Sequence, residues 1–440
     1  MKQLLLIKLP AVLLIVIFGL IVVHAPLIVF FGTVFPDLEL IIKAWKEVLM
    51  VVVGVLLTIR LTKESKWPLL IRDMLFWAIV GFALLHISLS IWFKLPADAE
   101  LAGLLINLRY IFFFGLVYVC LKLQPGLRTQ FIKIGLVGAV VVIIFACLQI
   151  VLPRDTLTYI GYGPDTIAPY MTVDKNEDYV RFSSTLRGPN SLGAYLVIVL
   201  SGIISFLVTT YHKAAPQKRR LLLVILTVLG MVALWISYSR SALVAAVIAI
   251  ATVGIVRFRR TIPKHLAVIA VVGMLAIAGG LYIARDTAFV QNVILHNNPD
   301  GDSTRSSNDE HLESLIEGTE RLTEQPIGAG VGSTGSASLF SDAPIIIENQ
   351  YLMIAHESGW IGLLLFLWIF GEVLRRAWKR REDWLALAVF ASGVGLALIG
   401  LLLPVWADDT VAIVWWGLAA IVLATGKDQR NERQTNQKTA

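Results

Sequence analysis

Cysteine is nearly absent from this chain. Only Cys120 and Cys147 occur in 440 residues, and both lie inside apolar stretches. Clustered thiolates for a metal and a stabilising extracellular disulfide are therefore not expected, and redox chemistry has no visible seat. Charge is scarce too, at 16% of residues against about 25% in an ordinary globular domain. No nucleotide-binding loop is visible. The basic residues come without any nucleic-acid reading motif and follow no continuous face, so the pI near 9.3 does not signal nucleic-acid binding. No metal cluster and no cofactor site are expected. What is abundant is apolar surface, 57% of residues, in windows of about 20 residues that recur from Leu4 to Ala424, the length needed to cross a bilayer core about 30 Å thick.

The expected fold is an all-α membrane protein with about twelve transmembrane helices. The spans fall near 5–33, 38–60, 70–93, 101–121, 133–152, 190–210, 221–238, 242–256, 265–284, 349–373, 384–404 and 409–425. The stretch from Met1 to Val34 starts basic but stays apolar too long for a signal peptide and lacks a small-residue cleavage site before Pro26, so it reads as a retained first helix. With a cytoplasmic N-terminus, alternate connections collect 26 of the 38 Lys and Arg, from Lys2 and Lys8 to the Arg375–Arg381 cluster and the tail after Lys427. The short opposite loops hold little beyond Lys94. This basic bias is the positive-inside signature and places both termini in the cytoplasm.

Two longer connections, Pro153–Gly188 and Arg285–Ile347, fall on the outside, where function is expected. The organisation is thus 1–284 with nine helices and an outer loop at 153–188, 285–347 as a large outer loop between the ninth and tenth helices, 348–425 with three helices, and 426–440 as a cytoplasmic tail. The large loop carries ten acidic residues against Arg285, Arg305 and Arg321. From Asn308 to Thr323 the spacing of Leu312, Leu315, Ile316 and Leu322 predicts an amphipathic helix lying on or against the bundle. Gly328, Gly330, Gly332 and Gly335 then predict a loosened backbone, either presenting N–H groups to a phosphate or returning flexibly to the membrane.

Several polar residues sit where a bystander would not. Arg240, in the turn Ser237-Tyr238-Ser239-Arg240-Ser241, stands on the side whose short loops otherwise lack basic residues; it binds an anion or snorkels to headgroups. Arg187 precedes Gly188-Pro189-Asn190, which can start the sixth span, so a cation adjoins a positive helix N-terminus. Arg109 interrupts an apolar run and is expected to face a wet cavity or to pair with Glu100 or another acid. Lys43, Lys46 and Glu47 flank Trp45 as an interfacial anchor. At the junction of the long loop and the tenth span, Glu348, His356 and Glu357 can each act as a base, and Asn349 suits a helix cap.

These features, in this order, resemble the O-antigen ligase and polysaccharide polymerase superfamily of bacterial membrane glycosyltransferases, most of all the lipopolysaccharide O-antigen ligase. The marks are the twelve-span layout, Arg187-Gly188-Pro189-Asn190, Ser239-Arg240-Ser241, and the segment from Arg305 through Pro326-Ile327-Gly328-Ala329-Gly330 to Gly332. The end of the loop resembles the family motif of His followed by a small polar residue, nine residues, Gly, two residues and Gly; Asn349, Gly359 and Gly362 fit, but Glu348 stands where the His is expected. The resemblance implies an inner-membrane enzyme that transfers a glycan from undecaprenyl pyrophosphate to a hydroxyl of lipid A–core oligosaccharide in the periplasm, by a metal-independent inverting displacement. It implies Glu348, Arg187 and Arg240 as catalytic residues, and Arg109, Arg305, Arg321, Asn349 and Tyr351 as substrate-binding residues. His311 and His356 are reserve bases. A polymerase using a second lipid-linked glycan, and a polytopic transporter or flippase, remain the alternatives.

Overall fold

The computed structural model describes residues 2–210, 217–258, 279–280, 282–288, 290–295 and 307–425. The first span consists of α1 (Lys2–Leu20) and α2 (His24–Val34), joined by a 3-10 turn at Ile21–Val23. There follow α3 (Trp45–Lys63), α4 (Met74–Phe93), α5 (Ala97–Leu123), α6 (Arg128–Gln149), α7 (Pro189–Thr210), α8 (Gln217–Ile236) and α9 (Arg240–Phe258). The expected ninth span, 265–284, lies outside the described residues for most of its length. Beyond it come α10 (Ser307–Glu324), α11 (Gln350–Lys379), α12 (Trp384–Ile399) and α13 (Asp409–Ala424).

Eight helical stretches among the described residues are long and apolar enough to cross a membrane. The chain is a multi-pass membrane protein. The helix α3 is not among the eight, because its 19 residues include Lys46, Glu47, Arg60 and Lys63. Nor are α12 and α13, each 16 residues and so about 24 Å long. The all-α expectation needs one correction, a small antiparallel hairpin of β1 (Met171–Val173) and β2 (Asn176–Arg181) in the first long loop.

Short acidic and amide side chains set the helix starts. Asp73, Asn349, Asp383 and Asp408 each accept a backbone N–H from the first turn that follows, satisfying donors a helix start leaves orphaned. The centre of the bundle is α13, apolar around its whole circumference and buried from Thr410 to Gly417, as expected of a helix enclosed by others. Trp406, Trp415 and Trp416 pack there against Tyr110, Phe114 and Phe370.

Among the described residues, basic side chains of several clusters, Arg128, Arg376 and Arg380, meet at one end of this bundle. Arg376 makes a bidentate bond to Asp73, 2.7 and 2.6 Å, and Arg128 reaches Asp383 at 2.5 Å. Burial works to raise the Asp73 carboxyl, but the Arg376 hydrogen bonds prevail and hold it below the ordinary range.

Candidate functional site at the loop end of the bundle

At the opposite end the hairpin delivers an arginine. Its turn, Asp174-Lys175, has both residues at positive φ, 47° and 63°, the geometry that lets two strands reverse over two residues. Strand β2 then ends at Arg181, whose Nε donates to the Ser237 carbonyl at 3.1 Å and whose Nη2 donates to Asn190 Oδ1 at 2.8 Å. Ser237 belongs to the turn between α8 and α9, and Asn190 is the second residue of α7. One guanidinium therefore ties the hairpin loop to the start of α7 and to the turn between α8 and α9.

Arg240 opens α9 and is half-buried, with Nη1 donating to the Ile294 carbonyl at 3.1 Å. Burial pulls the Arg181 pKa down to about 10; the neighbouring Arg240 charge adds to this and Asp174 opposes it. The two guanidiniums stand by the N-termini of α7 and α9, with the Arg240 charge reaching Arg181 and Asp174 acting as an acid on both. Such a site favours a multiply charged anion. Arg187 stands exposed two residues before α7, and among the described residues its side chain makes no hydrogen bond or ion pair.

The start of α11 forms the neighbouring wall. Asn349 caps this helix, its Oδ1 accepting from Tyr351 and Leu352 N–H groups and its Nδ2 donating to the Leu401 carbonyl. Gln350 accepts from Trp406 N–H at 2.7 Å, and Ser191 donates to Asp408 at 2.6 Å. The 400–408 connection thus bridges the arginine end of α7 to the Glu348 end of α11. Glu348 is half-buried, and its backbone N–H donates to Ser314 Oγ of α10 at 2.9 Å.

The glycine run is neither a phosphate cradle nor a loose return to the membrane. Its N–H groups are already taken: Ala329 donates to the His356 carbonyl at 2.6 Å, Gly330 to the Glu357 carbonyl at 3.2 Å and Gly332 to Glu357 Oε1 at 3.0 Å. The other Glu357 oxygen accepts from Asn107 of α5. Gly359, at φ 66° within α11, lets the loop pass close, and Trp360 N–H donates to the Pro326 carbonyl at 3.0 Å.

Residues 225–367 match the O-antigen ligase family. No curated protein matches the chain. The family segment takes in most of α8, all of α9 with Arg240, the long loop, Glu348 and the first part of α11, and it bears out the superfamily resemblance. Arg181 lies outside the segment and escaped the sequence reading. The available signal was a cation in a long loop, at the end of a short strand-like run, but Arg154 and Lys175 share that loop and mask it.

The other expected site residues are dispersed. Arg305 lies outside the described residues, as does the His311 side chain, although position 311 falls on α10. Arg321 is on α10, 3.8 Å from Glu317. Tyr351 donates its hydroxyl to the Ala397 carbonyl at 2.9 Å. His356 is buried, and neither ring nitrogen has a hydrogen-bond partner among the described residues.

Arg109 does pair with an acid, but that acid is Asp409 rather than Glu100, which caps Leu95 instead. Arg109 also donates to the Ala407 carbonyl. Lys46 is no interfacial anchor. It is 2% exposed and lies 2.8 Å from Asp409, which His24 also reaches at 3.0 Å. Trp45 donates to the other His24 ring nitrogen at 2.9 Å. These groups neutralise one another inside the bundle, as ionisable residues there must.

Proposed function

We propose that the chain is a glycosyltransferase of the O-antigen ligase type that takes its glycan from undecaprenyl pyrophosphate on the periplasmic side of the inner membrane, within a twelve-span topology. The observation that carries this reading is Arg181, at the end of β2 and bonded to the start of α7, together with Arg240 at the start of α9, with Arg187 exposed before α7. A pyrophosphate has the charge to answer both guanidiniums, and their planar donors suit its oxygens. In the reaction an acceptor hydroxyl oxygen bonds to the anomeric carbon while the bond from that carbon to the pyrophosphate oxygen breaks, with inversion. Negative charge builds on the departing undecaprenyl pyrophosphate, where fixed cations lower the barrier. Glu348 takes the hydroxyl proton. The acceptor in this reading is lipid A–core. A polymerase, with a second lipid-linked glycan as acceptor, would use the same site, and Glu348 in place of the ligase-type His favours keeping that reading beside the first.

The test is transfer by the purified protein from a defined polyprenyl-pyrophosphate-linked glycan, offered lipid A–core alone or a second lipid-linked glycan alone. Product with lipid A–core supports the ligase, and product only with the second glycan supports the polymerase. Arg181→Ala, Arg187→Ala and Arg240→Ala should each reduce transfer by about 10²-fold or more, the scale of losing a charge-stabilising donor, with lysine rescuing poorly. Near-normal turnover in all three variants would move pyrophosphate binding elsewhere.

A further inference from the structure

On the half of the bundle away from the arginine pair, a cleft opens among α1, α6, α7, α8, α12 and α13. Its walls are apolar, including Ile132, Ala139, Ile198, Ile203, Leu223 and Leu418, and Arg219 is the charged side chain lining it among the described residues. The cleft follows α7 from Tyr195 to Phe206, about 16 Å of helix, close to half of a bilayer core about 30 Å thick. Toward the arginine pair the helices close on one another: Cys147 of α6 approaches the Leu229 carbonyl of α8, and a Cβ at Gly230 would lie 3.0 Å from Leu200 and 3.3 Å from Ile143. At the other mouth Arg219 lies over the Phe206 ring, 5.3 Å from its centroid, and Trp384 meets that ring edge to face at 5.2 Å. Lys218 is exposed beside it on the same helix start.

We propose that this cleft holds one acyl chain of an anionic phospholipid from the adjacent leaflet, with the phosphate at Arg219. Three observations select that occupant. The depth matches one leaflet rather than the whole bilayer. The apolar lining excludes a polar ligand, and in a membrane the medium that fills such a cleft is hydrocarbon. The cation and its aromatic neighbours sit at the mouth, where a lipid phosphate meets water, and not at the closed end. A polyprenyl tail reaching down from the arginine pair would leave Arg219 without an anion.

The test uses the full chain purified in mild detergent, with retained lipid identified by mass spectrometry and melting measured with added phosphatidylglycerol or phosphatidylcholine. The wild type should retain anionic phospholipid and gain more stability from phosphatidylglycerol. Arg219→Glu, at an exposed position, should lower the preference for the anionic lipid by about fivefold or more. Gly202→Leu should expel both lipids, because a Cβ there meets nothing within 4 Å and the larger side chain extends into the cleft. Should Gly202→Leu fail to fold, Arg219→Glu decides alone. No retained phospholipid, equal stabilisation by the two lipids, an unchanged preference in Arg219→Glu, or retention of a polyprenyl molecule instead would each overturn the proposal.

Discussion

Arg109 donates to a buried carboxylate, Asp409, whereas Arg181 donates to two neutral acceptors, Ser237 and Asn190. The first arginine is therefore a partner inside the bundle, and the second, which Asp174 acts on without a direct hydrogen bond, is the one the proposed reading gives to the ligand. Arg109→Met or Asp409→Asn alone should cost about 3–5 kcal/mol, because each strands its partner's charge in a low-dielectric interior. Thermal unfolding in detergent measures this, and molecules that remain folded should transfer at the normal rate. A loss of rate without loss of stability would return Arg109 to the site. The sequence disclosed that Arg109 needed a partner but not which one, since Asp409 lies 300 residues away on the most enclosed helix. The base is open to the same kind of test. Glu348 stands at the loop end of α11, while His356 is buried two turns further along, with neither ring nitrogen hydrogen-bonded among the described residues. Glu348→Gln should lower initial rates by about 10²–10⁴-fold with donor binding retained, and His356→Gln should not. The reverse result would make His356 the base and Glu348 a residue of the helix start.

At the scale of elements, helix periodicity was legible wherever apolar runs were long. The expected span 190–210 is observed as Pro189–Thr210, and the amphipathic helix expected at 308–323 spans Ser307–Glu324. The glycine run was misread because composition reports conformational freedom, not what occupies the space. Gly332 sits at φ 91°, and a Cβ there would lie 2.2 Å from the Ala99 carbonyl oxygen; Gly103 meets the same segment from α5. These glycines permit close packing rather than looseness. The hairpin was missed for a related reason: a three-residue strand paired to a six-residue one leaves little alternation to detect. Gly332→Ala should destabilise the protein by about 1–3 kcal/mol through overpacking, with further strain from the positive φ. Gly163→Ala, where a Cβ has nothing within 4 Å, should stay within about 0.5 kcal/mol. Comparable melting temperatures for the two variants would show that the loop detaches from α5 at little cost.

For the whole molecule, the question is which end of the bundle faces which compartment. The contacts sort the helix ends into two groups. Asp73–Arg376 and Arg128–Asp383 join the starts of α4, α6 and α12 to the end of α11, and Arg380 adds the end of α13. Ser191–Asp408, Gln350–Trp406 and Arg181 with Ser237 and Asn190 join the starts of α7, α11 and α13 to the end of α8. Successive helices thus run in opposite directions, and the first group carries the basic clusters that favour the cytoplasm. Asp342, in the loop that leads into α11, and Lys379, the last residue of α11, are both exposed, so a thiol at either position reports on the compartment rather than on burial. In a background lacking Cys120 and Cys147, Asp342→Cys should react with a membrane-impermeant thiol reagent in intact cells, and Lys379→Cys should react only after the membrane is opened. The opposite pattern would invert the topology and put the arginine pair in the cytoplasm, away from a periplasmic glycan donor. Reaction at both positions in intact cells would mean that α11 does not cross the membrane.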